Sequence, residues 1–263
     1  MAETPHRLIA FSLYGDAPMY LRGAVENARL APTRYPGWTA RFYVSQEIPP
    51  SLVEELRGHG ADTVGMTRHS ESDGMFWRFL AADDPTADAV IFRDVDSRIS
   101  EREVAAVEAW LASGRQFHLM RDHPFHQWPM MGGMWGVRSG ALPSMETLIR
   151  HWRLRRRLLG YELGMRSNDQ AFLRAAVYPI ARRNGLIHSE FVRFEGESVA
   201  PFPSPPITGE FVGQVVDADE TPSARGAHDR EARPGLVDYG PVRRYDPVSR
   251  VMRFTRRLLA RTA

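Results

Sequence analysis

Four short apolar runs, separated by segments of helical period, constrain this chain more than any other feature. RLIAFSL (7–13), TARFYVS (39–45), DTVGM (62–66) and AVIFRDVD (89–96) read as strands. After the first, Gly15 and Asp16 make a turn. Residues 18–30 then carry Leu21, Val25 and Ala28 on one helical face, with Pro18 in the first turn. Residues 51–58 repeat the pattern with Leu52, Val53 and Leu56, and residues 73–82 do so with Met75, Phe76, Phe79 and Leu80. Strands alternating with helices require a largely parallel sheet with helices on both faces.

The second half continues in the same style. Ser100 and Glu103 have capping-box spacing, Val104, Val107 and Leu111 extend one face, and Gly114 ends that helix. QFHLMRD (116–122) and MWGVRS (134–139) are expected strands. Residues 143–159 are an expected helix, with Met145, Leu148, Ile149 and Trp152 inward and its arginines outward. A helix over 168–178 and a short strand GLIHS (185–189) follow. After residue 196 the texture changes to PFPSPPITGE and TPSARGAHDREARPG, which suits lids or disordered segments. SRVMRFTRRLLARTA at the end reads as a basic helix. One α/β domain over 1–195, carrying an extension over 196–263, accounts for these signals.

Composition removes several chemistries. The sequence holds no cysteine, so disulfides, thiolate metal sites and cysteine nucleophiles are excluded. It also holds no lysine; all 34 basic residues are arginine. There is then no Schiff base and no P-loop lysine, and phosphate charge falls to arginine or a metal. A net charge of +2 is too balanced to point to nucleic acid. Two arginine clusters stand out, at 150–157 and 250–261. No run is long enough to span a bilayer, and the N-terminus is too polar for a secretory signal. A cytoplasmic address is expected, with peripheral contact to the inner membrane face through the basic terminal helix.

Asp94 and Asp96 follow the buried run AVIF directly. In open α/β sheets, ligands bind beyond the carboxyl ends of strands. An extended chain there sends both carboxylates to the same side. Two hard oxygen ligands suit Mg²⁺ or Mn²⁺ and leave positions for phosphate and water. An isolated Asp-x-Asp also fits a solvated turn; the buried strand and the flanking Arg93 and Arg98 argue for a site. With no lysine present, Arg78, Arg93 and Arg98 are the cations left to join a metal in offsetting a diphosphate.

MRDHPFHQWPMMGGMWGVR emerges after a strand at the same edge. Asp122, His123, His126 and Trp128 supply acid/base, hydrogen-bonding and stacking groups, and Gly132 and Gly133 permit close backbone approach. The plain alternative is a turn with buried aromatics. Ser167-Asn168-Asp169-Gln170 precedes an apolar run and fits a helix cap.

The acidic segment resembles the Asp-x-Asp motif of glycosyltransferases with the GT-A fold. IAFSLYGDAPMYLRGAVENARLAP, GMFWRFLAADD, VIFRDVDSR, HLMRDHPFHQWPMMGGMWG and SNDQAFL are similar, in order and spacing, to blocks of a bacterial group of such enzymes, over roughly residues 8–190. The resemblance implies a Rossmann-like, mostly parallel sheet, a nucleotide-sugar donor (usually UDP-linked) and a divalent ion, Mn²⁺ or Mg²⁺. It implies that Ser12 and Tyr14 meet the nucleotide and that Arg78 reaches the donor. Asn168 then lies beside a glycan, lipid-linked or small-molecule acceptor. Asp169 acts there as base if the reaction inverts, or stabilises positive charge if it retains. Asp122 is a second catalytic candidate. His188, late in the chain, corresponds to a third metal ligand in many such enzymes; a structural histidine after a strand is the plain alternative. Two other functions compete. A haloacid-dehalogenase-like phosphatase also uses Asp-x-Asp, but at its first strand. A non-catalytic module would bind nucleotide or glycan without turnover.

Overall fold

The computed structural model describes residues 5–70, 72–158, 168–206, 208–223 and 236–240. The expectations for Ser167, for residues 224–235 and for the basic terminal helix lie outside these.

Seven strands form one sheet in the order β3-β2-β1-β4-β6-β5-β7. They are β1 (Arg7–Leu13), β2 (Trp38–Ser45), β3 (Asp62–Met66), β4 (Ala89–Phe92), β5 (Phe117–Arg121), β6 (Trp135–Arg138) and β7 (Gly185–Ser189). All pairings are parallel except those of β6, which runs antiparallel between β4 and β5. This is the mostly parallel, helix-flanked Rossmann-like sheet that the GT-A resemblance implies.

Strand periodicity sorts the core into two layers. In β1, Ile9, Phe11 and Leu13 face α1 (Pro18–Arg34), α2 (Pro50–Gly58) and α4 (Glu101–Ser113), while Leu8 and Ala10 face the opposite layer. In β4, Ala89 and Ile91 join the first set, and Val90 and Phe92 the second. The second layer is built by α3 (Gly74–Trp77) with its 3₁₀ continuation Arg78–Asp83, by α5 (Met145–Leu158) and by α6 (Asn168–Phe172). There Phe79 meets Phe92, Trp135 and Phe172 at ring-centroid distances of 5.6, 5.7 and 6.2 Å.

Local signals set most element ends. Ser100 Oγ accepts from the Glu103 N–H at 3.2 Å, and Gly114 closes α4 at φ 69°. Only half of the expected capping box forms, because the Glu103 carboxylate is drawn to Arg93 instead. Asp83 caps α5 from outside the helix, accepting from Met145 N, Glu146 N and Ser144 Oγ.

Several boundaries differ from the expectation. β4 stops at Phe92, where its partners on both sides, Ala10 and Trp135, also end their pairing with it. The chain then turns at Val95–Asp96, so the acidic pair lies beyond the ladder. The helix expected over 168–178 passes through a π-turn (Leu173–Val177) into α7 (Tyr178–Ala181). A two-stranded ribbon, β8 (Val192–Phe194) with β9 (Val237–Tyr239), was not anticipated.

Between β5 and β7, His118 Nε2 and His188 Nδ1 share a hydrogen bond of 2.8 Å in the core. Burial, with His188 and Arg93 adding, holds His118 well below the usual imidazole range. Burial, with Arg102 adding and Glu190 opposing, lowers His188 to about 4. Both rings therefore fold neutral, whereas the unfolded chain protonates them below about pH 6.5. The unfolded state then binds more protons, so stability is complete above pH 6.5 and falls as pH drops toward 4. We expect a loss on the order of 3 kcal/mol from His188 alone, measured by urea denaturation across that window. His188→Gln should flatten the slope. An unchanged slope would assign the acid sensitivity to other groups.

Candidate functional site

Because β1 and β4 are parallel neighbours, their carboxyl ends open at one place; the Arg93 N–H still donates to the Ala10 carbonyl at 3.0 Å. Strand parity decides what faces that opening. Ser12 and Tyr14 continue the Leu8–Ala10 side and Asp94 continues the Val90–Phe92 side, while the turn at Val95–Asp96 returns Asp96 to the same opening. Asp94 and Asp96 alternate with buried Arg93, Val95 and Ser97, so both carboxylates stand on the same, partly open side.

Arg78 comes from the 3₁₀ turn and is the hub. Its backbone N–H donates to Ser12 Oγ at 2.9 Å. Its guanidinium donates to Asp94 Oδ1 at 2.5 Å and to Asp169 Oδ2 at 3.1 Å. Burial alone would disfavour its charge, but Asp94 and Asp169 raise its pKa. A polar cavity of about 100 Å³ results, lined by Ser12, Tyr14, Tyr20, Arg78, Asp94, Val95 and Asp96.

Three glycines let the walls close. A Cβ on Gly133 would overlap Asp94 Oδ2, one on Gly132 would overlap Asp169 Oδ2, and one on Gly74 would overlap the Tyr14 ring. The connection between β5 and β6 thus lies directly on both aspartates. The sequence reading missed Gly74 and Tyr20. Gly74 carried a usable signal, a glycine opening a helix directly after Asp73. For Tyr20 we see none.

The charges are poised. Burial, with Asp94 adding, pushes Asp96 up to about 6. Burial, with Arg78 opposing and Asp94 adding, also raises Asp169. Burial, opposed by Arg78 and reinforced by both aspartates, pushes the Tyr14 phenol up to about 12, so it remains a hydrogen-bond donor. Asp94 and Asp96 repel each other at the cavity lip, and a divalent cation relieves that repulsion. Their oxygens are the hard donors Mn²⁺ and Mg²⁺ take. Among the described residues no cluster of three or more His, Asp or Glu is arranged to hold a metal.

The acidic turn is clamped from two sides. Asn27 Nδ2, on α1, donates to the carbonyls of Val95 and Ser97 at 3.2 and 2.8 Å. A Cβ on Gly23 would overlap the Val95 carbonyl, so α1 passes in direct contact with this turn. From the other side, Ser97 bridges Val215, and Val216 N–H donates to the Asp96 carbonyl at 2.7 Å. Residues 208–223 are thus a strap on the acidic turn.

Other expected site residues lie elsewhere. Arg93 has the opposite parity: it is 2% exposed and donates to Glu103 at 2.8 Å in the other layer. Arg98 is bidentate to Glu220 at 3.0 and 2.9 Å, tying the strap down and standing outside the cavity lining. His188 is buried on β7, three strands over from β4, against His118 and Phe202, and does not join the acidic pair. His123 and His126 are buried under Phe211. Each spends its Nδ1 on a nearby backbone N–H, of Phe125 and Asp122 respectively. Trp128 packs partly buried on the second core layer. The Asn168 side chain is buried and accepts from Trp152 Nε1 and Arg156 Nη1, which joins α5 to α6; its neighbour Asp169 alone reaches Arg78.

Asp122 is the clearest departure. It is 0% exposed, holds Arg102 bidentately at 2.9 and 3.0 Å, and accepts from Val212 N–H. A carboxylate so enclosed has no access to a substrate proton. Asp122→Asn should therefore cost about 3–5 kcal/mol of stability by leaving Arg102 undercompensated, while turnover per folded molecule stays unchanged. A hundredfold loss of turnover at unaltered stability would restore it as a catalytic group.

No family model matches the sequence, and no curated protein matches it. Among solved structures, the chain is similar to a mannosyltransferase from Pyrobaculum calidifontis in complex with GDP-mannose and Mn²⁺, at 13% identity and TM-score 0.42, covering 77% of this chain and 59% of that one. It is also similar to glucosyl-3-phosphoglycerate synthase from Mycobacterium tuberculosis, at 14% identity and TM-score 0.37, covering 54% and 59%. A third is 4-diphosphocytidyl-2C-methyl-D-erythritol synthase from Anaerococcus prevotii, at 9% identity and TM-score 0.38, covering 65% and 81%. The chain spans less than two thirds of the length of the first two.

Proposed function

We propose that this protein transfers a sugar from a nucleotide diphosphate sugar, UDP-linked, to an acceptor hydroxyl, with Mn²⁺ or Mg²⁺ held by Asp94 and Asp96. The observation that carries this reading is the convergence of Ser12, Tyr14, Arg78, Asp94 and Asp96 on one cavity at the carboxyl ends of β1 and β4, with Asp169 joined to it through Arg78.

A bound divalent ion would withdraw charge from the leaving diphosphate. The rest falls to side chains. Ser12 fixes the Arg78 backbone, so the guanidinium is aimed before any ligand arrives. Arg78 offsets phosphate charge in a chain without lysine. Tyr14, still protonated, offers the nucleotide a donor and a ring face. Asp169 has a raised pKa, which suits a group that takes the acceptor's proton in an inverting reaction. In a retaining reaction the same carboxylate would stabilise positive charge on the sugar. Gly132 and Gly133 press their backbone against Asp169 and Asp94 and so form the wall on that side.

Thermal-shift titration with UDP, GDP, CDP and ADP sugars, with and without Mn²⁺, tests the proposal. Stabilisation by one nucleotide class only with metal present is the expected result. Indifference to every nucleotide sugar in Mn²⁺ and in Mg²⁺ would overturn it.

A further inference from the structure

Helix α5 carries a surface that nothing in the cavity explains. Its inward side, with Met145, Ile149 and Trp152, is buried in the second core layer. On its outer side, the helical period puts Arg150, Arg153, Leu154, Arg157 and Leu158 on one face. Leu154 is 53% and Leu158 75% exposed. They are two of five large hydrophobics exposed among the described residues, and they sit one turn apart. Arg150 and Arg157 make no ion pair with any described residue, nor does the neighbouring Arg155. The only acid on the helix, Glu146, is in its first turn.

Two ordinary explanations fall short. Arginines in a last turn stabilise the helix dipole, which accounts for Arg155, Arg156 and Arg157. It does not account for Arg150, nor for leucines held in water beside them. A nucleic-acid surface would use the arginines but has no place for adjacent aliphatic side chains. Cationic and aliphatic groups interleaved on one helix face match the boundary between anionic headgroups and acyl chains.

We propose that the outer face of α5 docks on an anionic lipid bilayer, with Leu154 and Leu158 entering the headgroup layer and Arg150 and Arg157 binding lipid phosphates. The docking stands independently of the sugar-transfer reading. It has a geometric consequence for that reading, however. Trp152 and Arg156, from the same two turns of α5, hold Asn168, the neighbour of Asp169. Trp152 is on the inward side, so a docked α5 would stand between the bilayer and the Asp169 side of the cavity.

Co-sedimentation of the full chain with phosphatidylcholine vesicles, alone and with about a third phosphatidylglycerol, tests this. Binding to the anionic vesicles only is expected, and it should be lost in high salt. The double variant Arg150→Gln, Arg157→Gln should weaken partitioning roughly thirtyfold. The double variant Leu154→Ser, Leu158→Ser should weaken it roughly tenfold at constant charge. All four positions are exposed, so thermal melts should match the parent, and the salt dependence needs no variant at all. Absence of vesicle binding overturns the proposal. So does binding that neither variant changes, which would move the contact to the C-terminal arginines 250–261. Tighter binding to RNA than to anionic vesicles, insensitive to the leucine changes, overturns it as well.

Discussion

Replacing Asp94 with asparagine should reduce metal-dependent donor turnover at least about a thousandfold, or about 4 kcal/mol of transition-state stabilisation. The substitution keeps the shape and an oxygen for the Arg78 guanidinium but removes the charge that a divalent ion requires. Arg78 retains Asp169 as a charged partner, and the Asp94 side chain is 43% exposed. Stability should therefore change by only about 1 kcal/mol. The metal-dependent thermal shift by nucleotide sugar should vanish together with turnover, so the two readouts check each other. Asp96→Asn should act in the same direction, because its carboxylate shares the cavity lip. Full turnover in Asp94→Asn protein would sink the proposed site, and lost turnover with an intact metal-dependent thermal shift would separate metal binding from chemistry.

Much of this site was legible because strand parity extends past the strand. Residues 8, 10 and 12 of the first apolar run and Tyr14 just after it lie on one side, as do residues 90, 92 and 94 of the fourth, and Asp96 reaches the same cavity through the turn. Applied strictly, the same rule sends Arg93 to the far layer, where it meets Glu103. Its grouping with the cations of the donor site ignored that alternation in favour of charge. The remaining misplacements have a different origin. Asp122, His188, Asn168 and Arg98 are each spent on a partner at least twelve residues away in sequence: Arg102, His118, Arg156 and Glu220. Nothing local in a sequence marks such pairs, and a buried ion pair reads the same as a catalytic one until the fold closes. The strap over 208–223 was hidden for a related reason. Proline- and glycine-rich composition predicts irregular backbone, yet isolated bridges such as Ser97 to Val215 depend on where the acidic turn lies.

The largest stability effect should come from Glu197. Its carboxylate and the Arg121 guanidinium are both 0% exposed and meet at 2.6 and 3.1 Å. The pair is fully served: Glu197 also accepts from Tyr178 Oη and Phe194 N–H, while Arg121 donates to the Pro129 carbonyl and Ser189 Oγ. Low dielectric makes such a pair nearly neutral overall but costly to halve, since the remaining charge stays buried. Glu197→Ala should destabilise the fold by about 3–5 kcal/mol, a drop of roughly 10 °C or more in melting temperature for a chain of this size. The double variant Arg121→Met, Glu197→Leu should recover most of that loss, a coupling that a cycle of singles and double measures directly. Additive losses would show that the two side chains act by packing and not as a charge pair. The effect should also reach the cavity. Arg121 holds Pro129, in the same connection that presses Gly132 and Gly133 onto Asp169 and Asp94. In Glu197→Ala protein held well below its melting point, donor affinity should weaken before the fold is lost, because the wall that closes the cavity is anchored through this buried pair.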